Sequence, residues 1–211
     1  MNITIYRAHS EELVKQNLLP QLMDQLPISL HDRALRYRSP LSAYHYVIGR
    51  LLLSHGLAAR GHETDLETIE FSESGKPTLK DIHFNISHSD HQVVCAFANE
   101  GELGIDIERI TPIDFEDFAS MFSMQEWAVI RSSDDPLGTF YWYWTRKESI
   151  IKACGLSLGY MHQIELDVAE DYFDLGGQRW FLRDVDFGQG FAGAVCCAEE
   201  IGEIGVLEIG F

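Results

Sequence analysis

The spacing of apolar residues divides the first hundred residues of the chain into short strands and helices. Residues 11–25 carry leucines at helical intervals, Pro20 predicts a break among them, and Ser29 is a candidate N-cap for the next helix. A longer helix with one apolar face is predicted to begin at Ser39-Pro40. Apolar alternation predicts strands at 3–6, 66–71 and 92–98, and a strand end at 84–89.

Helix-boundary signals organise the second half of the chain. Residues 123–126 read Ser-Met-Gln-Glu, a capping box, so a helix is predicted from Met124. Asp135-Pro136 predicts the start of the main helix, because proline is tolerated in a first turn, and Gly155 predicts its end. Further strands are predicted at 163–167, 180–182, 191–196 and 206–209.

Each half of the chain thus contains helices followed by strands, which predicts an α+β protein. The two halves, residues 1–103 and 104–211, have a similar order of elements, although no residue-level repeat is visible. A length of 211 residues suits one domain or two small ones with a substantial core.

Charge and cysteine content exclude several function classes. The formal net charge is −17, so the chain lacks the basic surplus that a general nucleic-acid partner requires. The four cysteines show neither metal-ligand nor disulfide spacing, which indicates thiols in a reducing compartment. No signal peptide and no apolar run of membrane length is evident, so a soluble cytoplasmic protein that does not bind membranes is expected.

Two carboxylates in the run GIDIER at 104–109 are the first candidate chemistry. On a strand, Asp106 and Glu108 project from the same face, because alternate side chains share a face. Their mutual repulsion would favour a divalent cation with oxygen ligands between them. Strand 92–98 is expected to pair with this strand as a hairpin and hold the acids rigidly. A solvated strand edge is the simpler interpretation of the two acids alone.

The run WTRKESIIK at 144–152 adds a third carboxylate on the predicted main helix. Glu148 and Lys152 lie one turn apart on the same helix face, and Lys147 is adjacent. Alone, such a pair is most often a surface ion pair. Together with the two strand acids, the set provides oxygen ligands for a metal and cations for phosphate oxygens, which phosphoryl-type transfer requires.

Three blocks together resemble the 4′-phosphopantetheinyl transferases that modify carrier proteins of secondary metabolism and lysine pathways. The blocks are residues 74–77 leading into 84–89, the run 104–108, and the run 144–149 with Lys152, continuing to 158. The resemblance implies two similar α+β halves related by a pseudo-twofold, with the active site in the cleft between them. It further implies transfer of 4′-phosphopantetheine from coenzyme A to a serine of an apo acyl or peptidyl carrier protein. Adenosine 3′,5′-bisphosphate is released, and the enzyme is expected to be a monomer.

The resemblance also implies roles for individual residues. Mg²⁺ would be held by Asp106, Glu108 and Glu148, with Glu148 or a metal-bound water as the base. Lys152 would assist at the leaving side, and Lys147 is a second candidate there. The residues expected to contact coenzyme A are Lys76, Ser87, His88, Lys147, Lys152, Arg33, Arg36 and His45. Ser87 and His88 are matched to the 3′-phosphate and ribose, and Arg33, Arg36 and His45 are alternatives for the phosphate.

Two other classes of function stay open from the sequence. A magnesium-dependent enzyme of different phosphate chemistry, such as a pyrophosphatase, would turn over without a carrier. A catalytically silent carrier-binding protein would be expected to lack one of the three acids or Lys152, and all four residues are present.

Overall fold

A computed structural model describes residues 1–62, 66–72 and 75–211, so Ser74 of the first matched block lies outside the described residues. The strands are β1 (Ile3–His9), β2 (Glu70–Phe71), β3 (Pro77–Thr78), β4 (His83–Ser89), β5 (Gln92–Ala98), β6 (Leu103–Arg109), β7 (Tyr172–Leu175), β8 (Gln178–Asp184), β9 (Phe191–Cys197) and β10 (Ile204–Glu208). The α-helices are α1 (Glu11–Lys15), α2 (Leu19–Met23), α3 (His31–Leu35), α4 (Pro40–Ala58), α5 (Met124–Ser132) and α6 (Pro136–Cys154).

Two four-stranded sheets form the framework of this mixed α and β structure. The first sheet has the strand order β10-β1-β5-β4, and the second has the order β6-β9-β8-β7. All pairings within them are antiparallel except that β10 runs parallel to β1. The C-terminal strand therefore completes a sheet that is otherwise built from the first half of the chain. A two-stranded ribbon of β2 and β3 lies apart from both sheets.

Each four-stranded sheet is covered by one long helix. Helix α4 packs on β5 and β1, whereas α6 packs on β6 and β9. Both begin with proline in the first turn, as predicted, and α6 ends at Gly155, which has φ +66°. Gly104 lets β6 approach α6 closely: an added Cβ there would lie 2.0 Å from the Ser149 carbonyl oxygen. This close approach brings the acids of β6 within reach of the α6 side chains.

The predicted hairpin between strands 92–98 and 104–109 is wrong. β5 pairs with β1 and β4 in the first sheet, while β6 pairs with β9 in the second. Every residue of β5 is buried, so its near-continuous apolar sequence fits a central strand between two neighbours. Apolar patterning identifies strands but carries little information on which strands pair.

Three local predictions also differ from the structure. Within 66–71, a 3-10 turn covers Leu66–Thr68 and only Glu70–Phe71 is extended. The strand predicted at 163–167 is absent: Gln163 is the last residue of a 3-10 helix (Leu158–Gln163), and residues 164–167 form no strand. Ser29 does not cap α3, whose N-cap is Leu30; its hydroxyl instead donates to Glu67. In each case a side-chain or packing contact with a distant part of the chain outweighs the local pattern, and the sequence alone does not reveal that contact.

The predicted capping box at 123–126 is present and has a second role. Glu126 accepts the Ser123 backbone N–H, and the Ser123 hydroxyl accepts the Glu126 backbone N–H. The same Glu126 carboxylate binds the Lys147 ammonium at 2.6 Å, and these two side chains are 1% and 0% exposed. Burial lowers the pKa of Lys147, against the opposing effect of its hydrogen bond to Glu126. Helix α5 is therefore fastened to α6 by a fully buried ion pair.

Lys147→Met should reduce the free energy of unfolding by about 3–5 kcal/mol, because it leaves the Glu126 carboxylate buried without its cation. Urea unfolding followed by fluorescence measures the loss. Lys15→Met is the matched control, because Lys15 pairs with Glu11 and Glu12 on the surface and its removal should change little. Equal, small effects of the two substitutions would contradict the structural role of Lys147.

Candidate active site

The two four-stranded sheets meet at their edge strands, β4 and β6, through side chains instead of a backbone ladder. Asn85 accepts the Ile105 N–H at 3.0 Å, and Ser89 accepts the Arg109 N–H at 2.9 Å. The Ser87 hydroxyl, between them on β4, donates to Asp106 at 2.9 Å. Alternate residues of β4 thus satisfy the open edge of β6. We call this contact the β4–β6 seam.

Asp106 lies at the centre of the seam and is almost completely buried. Its Oδ1 accepts from Ser87 and from the Lys152 ammonium, the latter at 2.6 Å. Lys152 also donates to the Ser87 hydroxyl at 2.9 Å, which closes a triangle of three side chains. The Oδ2 atom is buried and has no hydrogen-bond partner among the residues that the structure describes. Burial raises the pKa of Asp106, while Lys152 acts in the opposite direction.

Glu108 and Glu148 complete the predicted group of acids. Glu108 accepts the Ser89 hydroxyl at 2.7 Å, and burial is the main reason that its pKa is raised. Burial also raises the pKa of Glu148 to about 7, with repulsion from Asp106 and Glu108 adding to the effect of burial. The two strand acids therefore do share a face, and Glu148 reaches them from α6.

Lys152 and Lys147 have different positions, although both lie on α6. Lys152 joins the seam, whereas Lys147 donates to Glu126 and to the carbonyls of Met121 and Met161. The prediction that Lys147 contacts coenzyme A at the leaving side is wrong. All three of its N–H donors are directed into the core, because residues five positions apart lie on different faces of a helix.

An open cavity of about 390 Å³ lies beside the seam and is lined by basic and aromatic side chains. His45 and His88 stack there with ring centroids 4.3 Å apart, and His45 Nε2 is 2.7 Å from the Asp90 carbonyl oxygen. His88 is exposed at its outer edge, but burial of the rest of its ring lowers its pKa to about 4. Repulsion from His45 and Lys152 adds to this effect. Burial likewise lowers the pKa of His45. Both rings are therefore neutral near pH 7 in the free protein.

Two of the predicted phosphate candidates line this cavity and one does not. Arg33 and His45 are among its lining residues, whereas Arg36 is exposed and is not one of them. The cavity also contains Arg50, which the sequence interpretation did not include among the site residues. The helix periodicity of α4 was the available signal. Arg50 lies one turn after Tyr46 and therefore shares a helix face with it, and the segment that carries Arg33 packs near that face.

Lys76 and Ser87 were predicted to contact coenzyme A, and both are engaged within the protein. Lys76 donates to Glu102 at 3.0 Å, to the Leu103 carbonyl at 3.1 Å and to the Ala153 carbonyl at 3.5 Å. It thereby joins its loop to the start of β6 and the end of α6. The Ser87 hydroxyl is committed to Asp106 and Lys152.

A second, smaller cavity of about 260 Å³ lies next to Lys76 and Lys152. It shares Gly75, Pro77 and Ile86 with the basic cavity. One extended ligand can therefore lie along both cavities, with one end at the basic side chains and the other at Lys152.

Metal ligation needs some adjustment of the side chains as they stand. Within residues 1–62, 66–72 and 75–211, no group of three or more His, Cys, Asp or Glu side chains is arranged to hold a metal ion. The carboxylates nevertheless interact electrostatically with one another, and one buried carboxylate oxygen lacks a partner among these residues.

In the part of the chain that the structure describes, no helix is long and apolar enough to cross a membrane.

Comparisons with known proteins agree with the chemistry of this site. Residues 102–196, which include the three acids and Lys152, match the family model described as the 4′-phosphopantetheinyl transferase superfamily. The chain is 32% identical over 161 residues to 4′-phosphopantetheinyl transferase Sfp of Bacillus subtilis (strain 168), which covers 73% of this chain and 71% of the relative.

Two further relatives bear the same enzyme name. Identity is 41% over 126 residues to the transferase gsp of Aneurinibacillus migulanus, covering 57% of this chain and 52% of the relative. A 4′-phosphopantetheinyl transferase of Bacillus subtilis is 28% identical over 207 residues, covering 92% of each chain. The enzyme class and the family predicted from the three sequence blocks are thus confirmed. The chain belongs to the 4′-phosphopantetheinyl transferase superfamily and is an enzyme that transfers the 4′-phosphopantetheine group to a carrier protein.

Proposed function

We propose that the β4–β6 seam is the catalytic centre for transfer of 4′-phosphopantetheine from coenzyme A to a serine of an apo acyl or peptidyl carrier protein. The observation that carries this proposal is the buried Oδ2 of Asp106, which lies beside Lys152 and lacks a partner among the described residues, with a cavity of basic residues adjoining it. Adenosine 3′,5′-bisphosphate leaves, and the attacking hydroxyl belongs to the carrier. The chain is expected to work as a monomer in the cytoplasm, without nucleic acid or membrane, and its four free cysteines suit a reducing compartment.

The proposed architecture is a pair of similar halves, residues 1–103 and 104–211, related by a pseudo-twofold. The topology supports it. In the first half, β1 is followed by α4 and the hairpin of β4 and β5, with sheet order β1-β5-β4. In the second half, β6 is followed by α6 and the strands β8 and β9, with sheet order β6-β9-β8. The seam then lies where the two halves meet.

The residues present fit a magnesium ion, held by Asp106, Glu108 and Glu148. All are oxygen donors, burial raises the pKa of each carboxyl, and no described residue is a hydrogen-bond partner of Asp106 Oδ2. When bound, Mg²⁺ neutralises diphosphate charge and stabilises the charge that develops on its oxygens during transfer. Ser87 and Ser89 hold the two strand acids in position from β4.

Lys152 and Glu148 are the proposed catalytic residues of the chain. The Lys152 ammonium has three donors and uses two of them on Asp106 and Ser87, so one N–H is left for an oxygen of the departing phosphate. The proton of the carrier serine would go to Glu148 or to a metal-bound water, and Glu148 could accept it only on an oxygen that does not ligate the ion. Asp106 and Glu108 are less suited to this because both already accept hydrogen bonds from serines.

The basic cavity is the proposed site of the nucleotide, with His88, His45 and Arg33 facing its 3′-phosphate. The adjoining cavity leads to Lys152 and would take the diphosphate end of the molecule. Lys76 contributes by holding the loop that both cavities share. The alternatives of a pyrophosphatase or a silent carrier-binding protein are not favoured, since the relatives are named as transferases and the three acids and Lys152 are all present.

Asp106→Asn, Glu108→Gln and Glu148→Gln should each remove most turnover of coenzyme A with an apo-carrier, measured by mass spectrometry of the modified carrier. Each change removes a charged oxygen ligand while keeping the size of the side chain. A chelator should have the same effect on the parent protein. Mg²⁺ should also raise the melting temperature of the parent but not of Asp106→Asn. Full activity in excess chelator would rule out the metal role.

Glu148→Gln should also stabilise the protein at pH 8 by about 1–3 kcal/mol and have little effect at pH 5. The pKa of this carboxyl is about 7 in the folded protein, against 4.5 normally, so its ionisation opposes folding as the pH rises through this window. Urea unfolding at both pH values measures the difference. A stability gain that is equal at pH 5 and pH 8 would show that ionisation of the buried Glu148 carboxyl is not its cause.

His88→Ala should raise the apparent constant for coenzyme A by about 10- to 100-fold at pH 6, and by less at pH 8. The pKa of His88 is about 4 in the free protein, and a bound phosphate raises it, so binding takes up a proton more readily as the pH falls. Dephospho-coenzyme A should be nearly unaffected. If both substrates weaken equally at both pH values, His88 supports the shape of the cavity and does not bind the phosphate.

A further inference from the structure

Arg50 is a buried cation for which the described residues offer no counter-ion. It is 6% exposed, lies on α4 and lines the basic cavity. Its guanidinium stands over the Tyr46 ring, 5.1 Å from the centroid. Among residues 1–62, 66–72 and 75–211, no carboxylate, carbonyl or hydroxyl accepts a hydrogen bond from it. Burial of a charge is costly unless the charge is paired, so such a group needs an explanation.

The composition of the chain makes this lack of pairing informative. Acidic residues number 33 against 16 lysines and arginines, so a carboxylate partner would be easy to supply. Two cations near the centre of the second sheet do have one: Arg146 pairs with Asp171 and Asp184, and Lys152 pairs with Asp106. Arg33 shares the cavity with Arg50; it is exposed, and no carboxylate of the described residues pairs with it. It stands over Phe71 at 4.5 Å and over Tyr46 at 5.5 Å.

The cavity therefore holds two guanidinium groups supported by aromatic rings, and no acid is among the described residues that line it. Aromatic support positions a guanidinium without neutralising it, which leaves its fork of N–H donors available to an anion. The two histidines of the cavity are neutral near pH 7, because their pKa values are lowered. Permanent positive charge in the cavity thus comes from Arg33 and Arg50.

We propose that Arg50 binds the 3′-phosphate of coenzyme A and is the residue that makes the enzyme select coenzyme A over its dephosphorylated form. This inference rests on the proposed function of the same site. A phosphomonoester matches the bidentate geometry of guanidinium, and its charge provides the counter-ion that the described residues do not supply to Arg50. Because guanidinium does not titrate, Arg50 maintains this selection at alkaline pH, where His88 cannot contribute a charge.

The test compares Arg50→Met with the parent at pH 8, using coenzyme A and dephospho-coenzyme A as substrates with an apo-carrier. Loss of a bidentate charged contact should raise the apparent constant for coenzyme A by about 10- to 100-fold and leave dephospho-coenzyme A nearly unchanged. Calorimetry with adenosine 3′,5′-bisphosphate against adenosine 5′-monophosphate should show the same difference without a carrier. Arg50→Lys should keep part of the selection, because it retains the charge but loses the fork.

Thermal unfolding without ligand separates a binding role from a structural one. Removal of a buried cation that has no partner should leave the melting temperature unchanged or raised, whereas removal of a structural contact lowers it. Adenosine 3′,5′-bisphosphate should stabilise the parent more than Arg50→Met. Arg38→Met is the matched control, because it removes an exposed arginine outside the cavity lining and so changes the net charge equally.

Two outcomes would overturn the inference. One is an unchanged ratio between the two substrates in Arg50→Met; the other is a lowered melting temperature with equal weakening of both. In either case, continued modification of the carrier by Arg50→Met would leave the proposed function standing. Failure of the parent protein to modify any carrier would count against the proposed function itself, which is a separate result. A change in Arg38→Met equal to that in Arg50→Met would assign the effect to net charge and also overturn the inference.

Discussion

The β4–β6 seam is the constraint on which the rest of the structure depends. Two edge strands from different sheets would each leave a row of unpaired backbone groups, and here side chains of β4 satisfy those of β6. Asn85, Ser87 and Ser89 must be small and polar to fit this space, and their spacing follows from the alternation of a strand. The seam joins the sheets and at the same time places Asp106 and Glu108 against hydroxyl donors. Stability and site geometry therefore depend on the same hydrogen bonds.

The site separates opposite charges on the two sides of one strand. Residues of β4 that face β6 contact the acids, while Ile86 and His88, which alternate with them, line the basic cavity. Each side is unfavourable in the free protein: burial raises the pKa of the carboxyl groups, and Arg50 is a buried cation that no described residue pairs with. A ligand that carries phosphates, together with a divalent cation, would relieve both conditions. Strain of this kind is expected where binding energy is used for selection.

Local sequence patterns predicted much of the fold. The capping box at 123–126, the αL glycine at Gly155 and the start of α4 were each encoded in a few neighbouring residues, because their hydrogen bonds form within one turn. Asp106 and Glu108 share a face for the same local reason, and Glu148 with Lys152 follows helix periodicity. Long-range pairing was less accessible: β5 and β6 are close in sequence yet belong to different sheets, since apolar pattern alone does not specify strand partners.

By itself, the sequence determined the family, the chemistry and the acids that share one strand face, because motif identity and local periodicity need no knowledge of distant contacts. Only the tertiary structure decided which cations lie at the proposed site and which are paired in the core. Lys147 and Lys152 look alike in sequence, but one pairs with Glu126 in the core and the other with Asp106 in the seam. Arg50 entered the proposed site only because α4 places it in the cavity, where no described residue pairs with it. Whether a charge is free for a ligand depends on its neighbours in space, and those neighbours come from parts of the chain that folding brings together.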